Sequence, residues 1–140
     1  MATTRTAKAQ WEGTLKEGAG RVSLESSGLG TYDVSWPART EEPNGKTSPE
    51  ELIAAAHAAC FSMALSNVLT GAGTPPQSLE TSAEATFDPP TITGIHLTVV
   101  GRVEGVDADA FAKAAEDAKQ NCPVSKALTG TEITLDASLA

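Results

Sequence analysis

Cys60 and Cys122 are the two thiols of this 140-residue chain, and they sit in different local settings. Cys60 lies inside the apolar run AAHAACFSMAL. A cysteine so placed is most often a small buried hydrophobe. Cys122 stands in Asn121-Cys122-Pro123, where the proline marks the first turn of a helix. A thiol there faces unpaired backbone N–H groups and the positive end of the helix dipole, and both favour the thiolate. There is no C-x-x-C, so a thioredoxin-like exchange motif and a zinc knuckle are both unsupported. Sequence spacing alone does not say whether the fold brings the two sulfurs together.

A nucleophilic thiol needs a cation to stabilise its anion, and the cation needs a group to aim it. Arg39, in the segment WPART, is a candidate cation, and Glu50 is a candidate partner, because a carboxylate can hold a guanidinium in a bidentate pair. Taken alone, Arg39 reads as a solvated loop cation and Glu50 as first-turn helix charge. Glu50 precedes Cys60 by about three helical turns, a distance that Arg39 would have to bridge. Arg21 is a rival cation but reads as an outward strand residue. His57 lies one turn before Cys60 on the same helix face. It is placed to tune the thiol or touch a substrate, although a satisfied core histidine is the commoner outcome. His96 sits in a strand with no metal-ligand partner at useful spacing. No phosphate loop, G-x-S-x-G or His/Cys metal cluster is present.

These residues need elements to carry them. Residues 7–12 and 21–25 alternate in polarity around Gly18 and Gly20, which predicts an N-terminal hairpin. Residues 28–48 are irregular, punctuated by glycine and proline, with a possible short strand over 32–36. Ser48-Pro49-Glu50-Glu51 predicts a capping box with proline at the first helical position. The helix that follows runs to about Leu69, where Gly71 and Gly73 end it. It is apolar nearly all round and must be covered on most sides. Strands are predicted over 79–88, 92–103 and 132–139, and a helix from Asp107 to about Asn121 is followed by a further turn or two from Cys122-Pro123. The order is α+β, in one domain spanning 1–140.

The composition narrows the class. With 40% apolar residues the chain is globular. A formal net charge of −8 with no Lys/Arg cluster argues against nucleic acid or an anionic membrane surface as partner. The N-terminus lacks the apolar core of a signal peptide. The long apolar stretch is interrupted by His57, Ser62, Ser66 and Asn67, which argues against a membrane span. A cytoplasmic setting is expected, where a permanent structural disulfide is improbable.

The run from Thr47 through TSPEELIAAAHAACFSMAL, with NCPVSKAL from Asn121 after it, closely resembles the OsmC/Ohr family of hydroperoxide reductases. The leading QWEG from Gln10 and the closing EITLD from Glu132 resemble its OsmC branch. The resemblance spans essentially the whole chain. It implies an OsmC/Ohr-like fold of curved antiparallel sheets around long central helices, in an intertwined homodimer with its active sites at the subunit interface. Position by position, it matches Cys60 to the peroxidatic cysteine, Cys122 to the resolving cysteine, Glu50 to the glutamate that pairs the catalytic arginine, and Arg39 to that arginine. The Ohr branch draws its arginine from the N-terminal hairpin, where this chain has no clean match. The resemblance further implies organic hydroperoxides as substrates, reduced faster than hydrogen peroxide, with a dithiol reductant such as a lipoyl protein and no cofactor or metal. Two other readings remain open at this point: an acyl thioesterase-like enzyme, and a binder of apolar ligands with inert cysteines.

Overall fold

The structure, a computed structural model, describes residues 1–140. Its elements are β1 (Lys8–Glu12), β2 (Ala19–Ser23), β3 (Thr31–Val34), α1 (Trp36–Thr40), α2 (Pro49–Gly71), β4 (Ser78–Asp88), β5 (Thr91–Arg102), α3 (Ala108–Asn121), α4 (Pro123–Ala127) and β6 (Glu132–Leu139). Within the one predicted domain the chain divides into two compact units, Met1–Leu52 and Ile53–Ala140. The α+β class and nearly every predicted element are present.

In the first unit β1, β2 and β3 form an antiparallel sheet in that order. The second strand begins two residues earlier than the alternation of 21–25 predicts. Ala19 and Gly20 carry no polarity signal, yet Gly20 pairs with Trp11 across the hairpin. A Cβ at Gly20 would lie 2.6 Å from the Trp11 ring, so only glycine lets the indole lie over the strand. The irregular segment also holds a helix that the periodicity misses. Ser35 caps α1 by accepting the Ala38 N–H at 3.2 Å, with Pro37 in the first turn. The chain then returns to β3: the Thr47 N–H donates to Asp33 O at 3.0 Å, and Val34 and Thr47 form a parallel bridge. This return fixes the start of α2 beside α1.

The predicted cap of α2 forms by half. The Glu51 N–H donates to Ser48 Oγ at 3.1 Å, but the Glu51 carboxylate accepts from the Thr47 hydroxyl at 2.6 Å instead of reaching back to the cap. At the other end Gly73, at φ +85°, turns the chain out of the helix. The Thr74 N–H reaches Leu69 O and the Gly73 N–H reaches Thr70 O, the paired bonds of a Schellman stop.

In the second unit the sheet order is β4-β5-β6. β4 and β5 are an antiparallel hairpin, but β6 runs parallel to β5, which departs from the all-antiparallel expectation. A parallel neighbour requires a crossover rather than a tight turn, and α3 with α4 supplies it. The central strand buries Ile95, Leu97 and Val99. Asp107 caps α3 by accepting the Ala110 N–H at 2.8 Å, and α3 turns Phe111, Ala115 and Ala118 inward, with Cys122 continuing the face. α2 contributes Phe61, Leu65 and Leu69 to the same core. These continue from His57 at every fourth position, so one stripe of α2 is enclosed. By length and hydropathy alone α2 could cross a membrane. The stripe offset by two residues, through Ala55, Ala59 and Met63, is exposed, Met63 at 73%.

Candidate active site

The structure forms two pairs of site residues, one in each unit. In the first unit Arg39 and Glu50 are joined as a fork. Arg39 Nε donates to Glu50 Oε1 at 3.0 Å and Oε2 at 3.1 Å, and Nη2 donates to Oε2 at 2.8 Å. Glu50 is buried, and the arginine side chain is 27% exposed. The guanidinium carbon also lies 5.9 Å from the centre of the Trp36 ring, within cation–π range. Arg39 is held on two sides because α1 and the start of α2 are both anchored on β3. Arg21, the rival cation, is an exposed residue of β2 opposite Asp33.

In the second unit Cys60, on α2, and Cys122, between α3 and α4, are both free thiols and interact directly. Cys122 is fully buried in the core and Cys60 is half-buried at its edge. Burial pushes the Cys60 thiol up from its ordinary pKa. The backbone N–H of Val124 opposes that rise by hydrogen bonding to the sulfur, and the adjacent Cys122 thiol reinforces it. The sequence places Cys122 before the free N–H groups of α4. In the fold Cys122 caps α4 only with its backbone and makes no side-chain cap bond. Its sulfur is drawn into the core, and it is Cys60 that receives an N–H from the first turn of α4.

His57 is fully buried, as expected for a core histidine, but only half satisfied. Its Nε2 lies 2.7 Å from Ser125 Oγ, and its Nδ1 is buried with no hydrogen-bond partner. A buried donor without an acceptor is rarer than a buried acceptor without a donor. The proton therefore belongs on Nε2, which donates to Ser125. Burial also pushes the His57 pKa below its ordinary value. His96 faces β6, with Nδ1 2.6 Å from Thr134 Oγ1 and Nε2 3.1 Å from Asp136 Oδ2. Reading the sequence singles out neither Ser125 nor Trp36. Ser125 follows Cys122 by the three residues that separate His57 from Cys60, and Trp36 precedes Arg39 by three. Those matched spacings were the available signal.

Comparison with known proteins shows the family and the fold. Residues 42–137 match the family described as OsmC-like protein. A curated relative from Escherichia coli K12, named Peroxiredoxin OsmC, is 46% identical over 136 residues, 94% of each chain. Among solved structures, the organic hydroperoxide resistance protein OhrB of Bacillus subtilis superposes with a TM-score of 0.65 at 25% identity, covering 96% of this chain and 98% of that one. An OsmC-like protein from Mycoplasma pneumoniae shares the fold at a TM-score of 0.74 and 13% identity, covering 100% and 99%. The chain belongs to the OsmC-like protein family.

The buried histidine makes stability depend on pH. Above the ordinary histidine pKa of 6.5 the ring is neutral whether the chain is folded or not, so it contributes no slope. Below it the unfolded chain takes up a proton that the buried ring resists. Stability then falls with pH, by at most about 1.4 kcal/mol per unit. His57→Gln cannot titrate and should lack that component. Denaturant unfolding at pH 7 and pH 5 should show the wild type losing ground to His57→Gln as pH falls. A difference independent of pH would mean that the ring accepts its proton freely.

Proposed function

We propose that the chain is a cysteine-based peroxidase that reduces organic hydroperoxides through Cys60 and Cys122. The observation that carries this reading is the direct contact between the two free thiols, which neither a thioesterase nor an inert binder calls for. In the first step the Cys60 thiolate attacks one peroxide oxygen. The S–O bond forms, the O–O bond breaks, and the alcohol leaves with a proton, so that Cys60 becomes a sulfenic acid. In the second step the Cys122 sulfur attacks Cys60, the S–S bond forms, and water departs. An external dithiol, such as a lipoyl group on a partner protein, returns both thiols. A cytoplasmic setting suits the cycle, because thiols are kept reduced there.

Cys60→Ser should abolish peroxide consumption in a folded protein. Cys122→Ser should consume about one equivalent and then accumulate sulfenic and sulfinic acid. Mass spectrometry after a single addition of cumene hydroperoxide checks both. An unmodified Cys60 in the Cys122→Ser protein would overturn the assignment.

Burial pushes the Cys60 thiol toward its neutral form, so the first step needs a cation. We assign that role to Arg39, aimed by Glu50. α2 holds Glu50 about three turns from Cys60. A two-fold homodimer removes that separation, because the Arg39–Glu50 pair of one protomer then serves the thiols of its partner. The exposed Ala55, Ala59 and Met63 stripe supports such an assembly. Arg39→Ala and Cys60→Ser should each be nearly inactive alone. Co-expressed, they should recover about a quarter of wild-type activity, because half of the dimers are mixed and one of their two sites is intact. Light scattering that gives a 14.4 kDa monomer, or a mixture with no recovered activity, would exclude the shared site.

Substrate choice follows from the surroundings of Cys60. Ala58, Ala59 and Met63 lie beside it on the open side of α2, while Phe61 is enclosed in the core. An organic group that buries on the order of 100 Å² there gains about 2.5 kcal/mol, a term hydrogen peroxide lacks. Held through the transition state, that is nearly a hundredfold in rate. Steady-state kinetics should give cumene or tert-butyl hydroperoxide the higher kcat/KM, and equal values would mean a wetter pocket.

A further inference from the structure

The proposed cycle uses Cys60 and Cys122 but leaves His57 and Ser125 without a task. These two residues are buried, polar and hydrogen bonded at 2.7 Å across the same pair of elements that carry the thiols. His57 and Cys60 are one turn apart on α2. Cys122 and Ser125 are separated by the same three residues, at the start of α4 and within it. Cys60 meets Cys122, and His57 meets Ser125. The two contacts therefore form a two-point clip, and sliding or rotating α4 along α2 breaks both.

α4 needs such a clip. It is a helix of five residues, too short to be stable alone. Besides the packing of the Val124 side chain on the core, three contacts set its position: the Cys122 sulfur in the core, the Val124 N–H on Cys60, and Ser125 on His57. The first two involve the thiols themselves and change when the thiols react. Once Cys60 carries an oxygen, its sulfur no longer meets the Val124 N–H and Cys122 as a thiol does. The His57–Ser125 bond contains neither sulfur, so oxidation of Cys60 alters none of its atoms.

We propose that His57 and Ser125 are positioning residues for the resolving step, holding Cys122 against the Cys60 sulfenic acid so that disulfide formation outruns further oxidation. The inference rests on the assignment of Cys60 as nucleophile and Cys122 as resolving thiol. Two reactions compete for the sulfenic acid. In one, the Cys122 thiol attacks sulfur, an S–S bond forms, and water leaves with the thiol proton. In the other, a second hydroperoxide delivers an oxygen, giving the sulfinic acid and an alcohol. The first is intramolecular, and its rate depends on how firmly the attacking group is held in place. The second does not involve Cys122. The clip therefore sets the ratio of the two without touching the peroxide.

The test separates the two steps. Full-length Ser125→Ala, Ser125→Thr and Cys122→Ser are compared with wild type. The rate of the first step is read by stopped flow with cumene hydroperoxide, and the sulfinic fraction per turnover by mass spectrometry. Ser125→Ala should keep the first step within about twofold and raise the sulfinic fraction about five- to tenfold, in line with loss of one buried hydrogen bond. Ser125→Thr retains the hydroxyl and should restore the wild-type ratio. His57→Asn carries an amide in place of Nδ1 but falls short of Ser125. It should match Ser125→Ala and gives the same readout if the alanine variant does not fold. The double variant should be no worse than either single one, because each breaks the same bond. An unchanged sulfinic fraction in Ser125→Ala and His57→Asn, while Cys122→Ser shows its rise, would overturn the clip. So would a first step slowed by the same factor as the second, which a general loss of structure would produce. If Cys122→Ser itself shows no rise, the resolving assignment fails and the inference goes with it.

Discussion

A helix that is apolar on every face can exist in water only if it is enclosed, and that constraint on α2 governs the rest of the molecule. Within the chain, one stripe running from His57 through Phe61 and Leu65 to Leu69 is covered by β5 and α3, whose inward side chains form a single core with it. Covering this stripe requires the inward side chains of β5 to face it. It also requires the β5-to-β6 connection to pass over the same core, and that connection carries Cys122. The meeting of two thiols far apart in sequence is thus a by-product of burying a helix. The opposite stripe, with Met63 largely exposed, leaves the same demand unmet in a single chain, and the proposed second copy answers it.

Enclosure conflicts with thiol chemistry. Dryness suits an organic substrate and excludes competing water, but it favours the neutral thiol over the reactive thiolate. One backbone N–H, from Val124, acts against that penalty at Cys60. A fixed, permanently charged guanidinium is a stronger remedy, since it cannot lose its proton. In the proposed site the Arg39–Glu50 fork supplies such a group, its own orientation set by three hydrogen bonds. The Trp36 ring lies beneath it. Arginine rather than lysine suits this role, because a single ammonium cannot fill both carboxylate oxygens in a planar fork and stack on an indole as well.

Much of this was legible in the sequence, for physical reasons that can be traced residue by residue. Ser48-Pro49 marked the start of α2, and Gly71 with Gly73 its end, because caps are local chemistry. Ser35-Trp36-Pro37 carries the same kind of signal for α1, yet a five-residue helix within a glycine- and proline-rich segment has no periodicity to support it. Alternation located β6 but could not tell its direction, since side chains alternate alike in parallel and antiparallel strands. The pairing of Arg39 with Glu50 was implied by family resemblance and is present as a fork. The partnership of His57 with Ser125 was not legible, because it joins residues whose proximity exists only after the core has formed. The N–H groups at the head of α4 were correctly located but given to the wrong thiol: packing drew Cys122 inward and left Val124 facing Cys60.

The long sequence separation of the two thiols has a thermodynamic consequence. A bond between Cys60 and Cys122 would close a loop spanning most of the second unit. By the chain-entropy relation, a loop of that size restricts the unfolded ensemble enough to favour the folded state by about 4 kcal/mol. A protein that alternates between thiols and disulfide therefore alternates between two unfolding free energies, and the oxidised form is the more robust. Exposure to peroxide would then toughen the molecule for as long as reductant is scarce. Each reduction would return it to the lower unfolding free energy of the dithiol form.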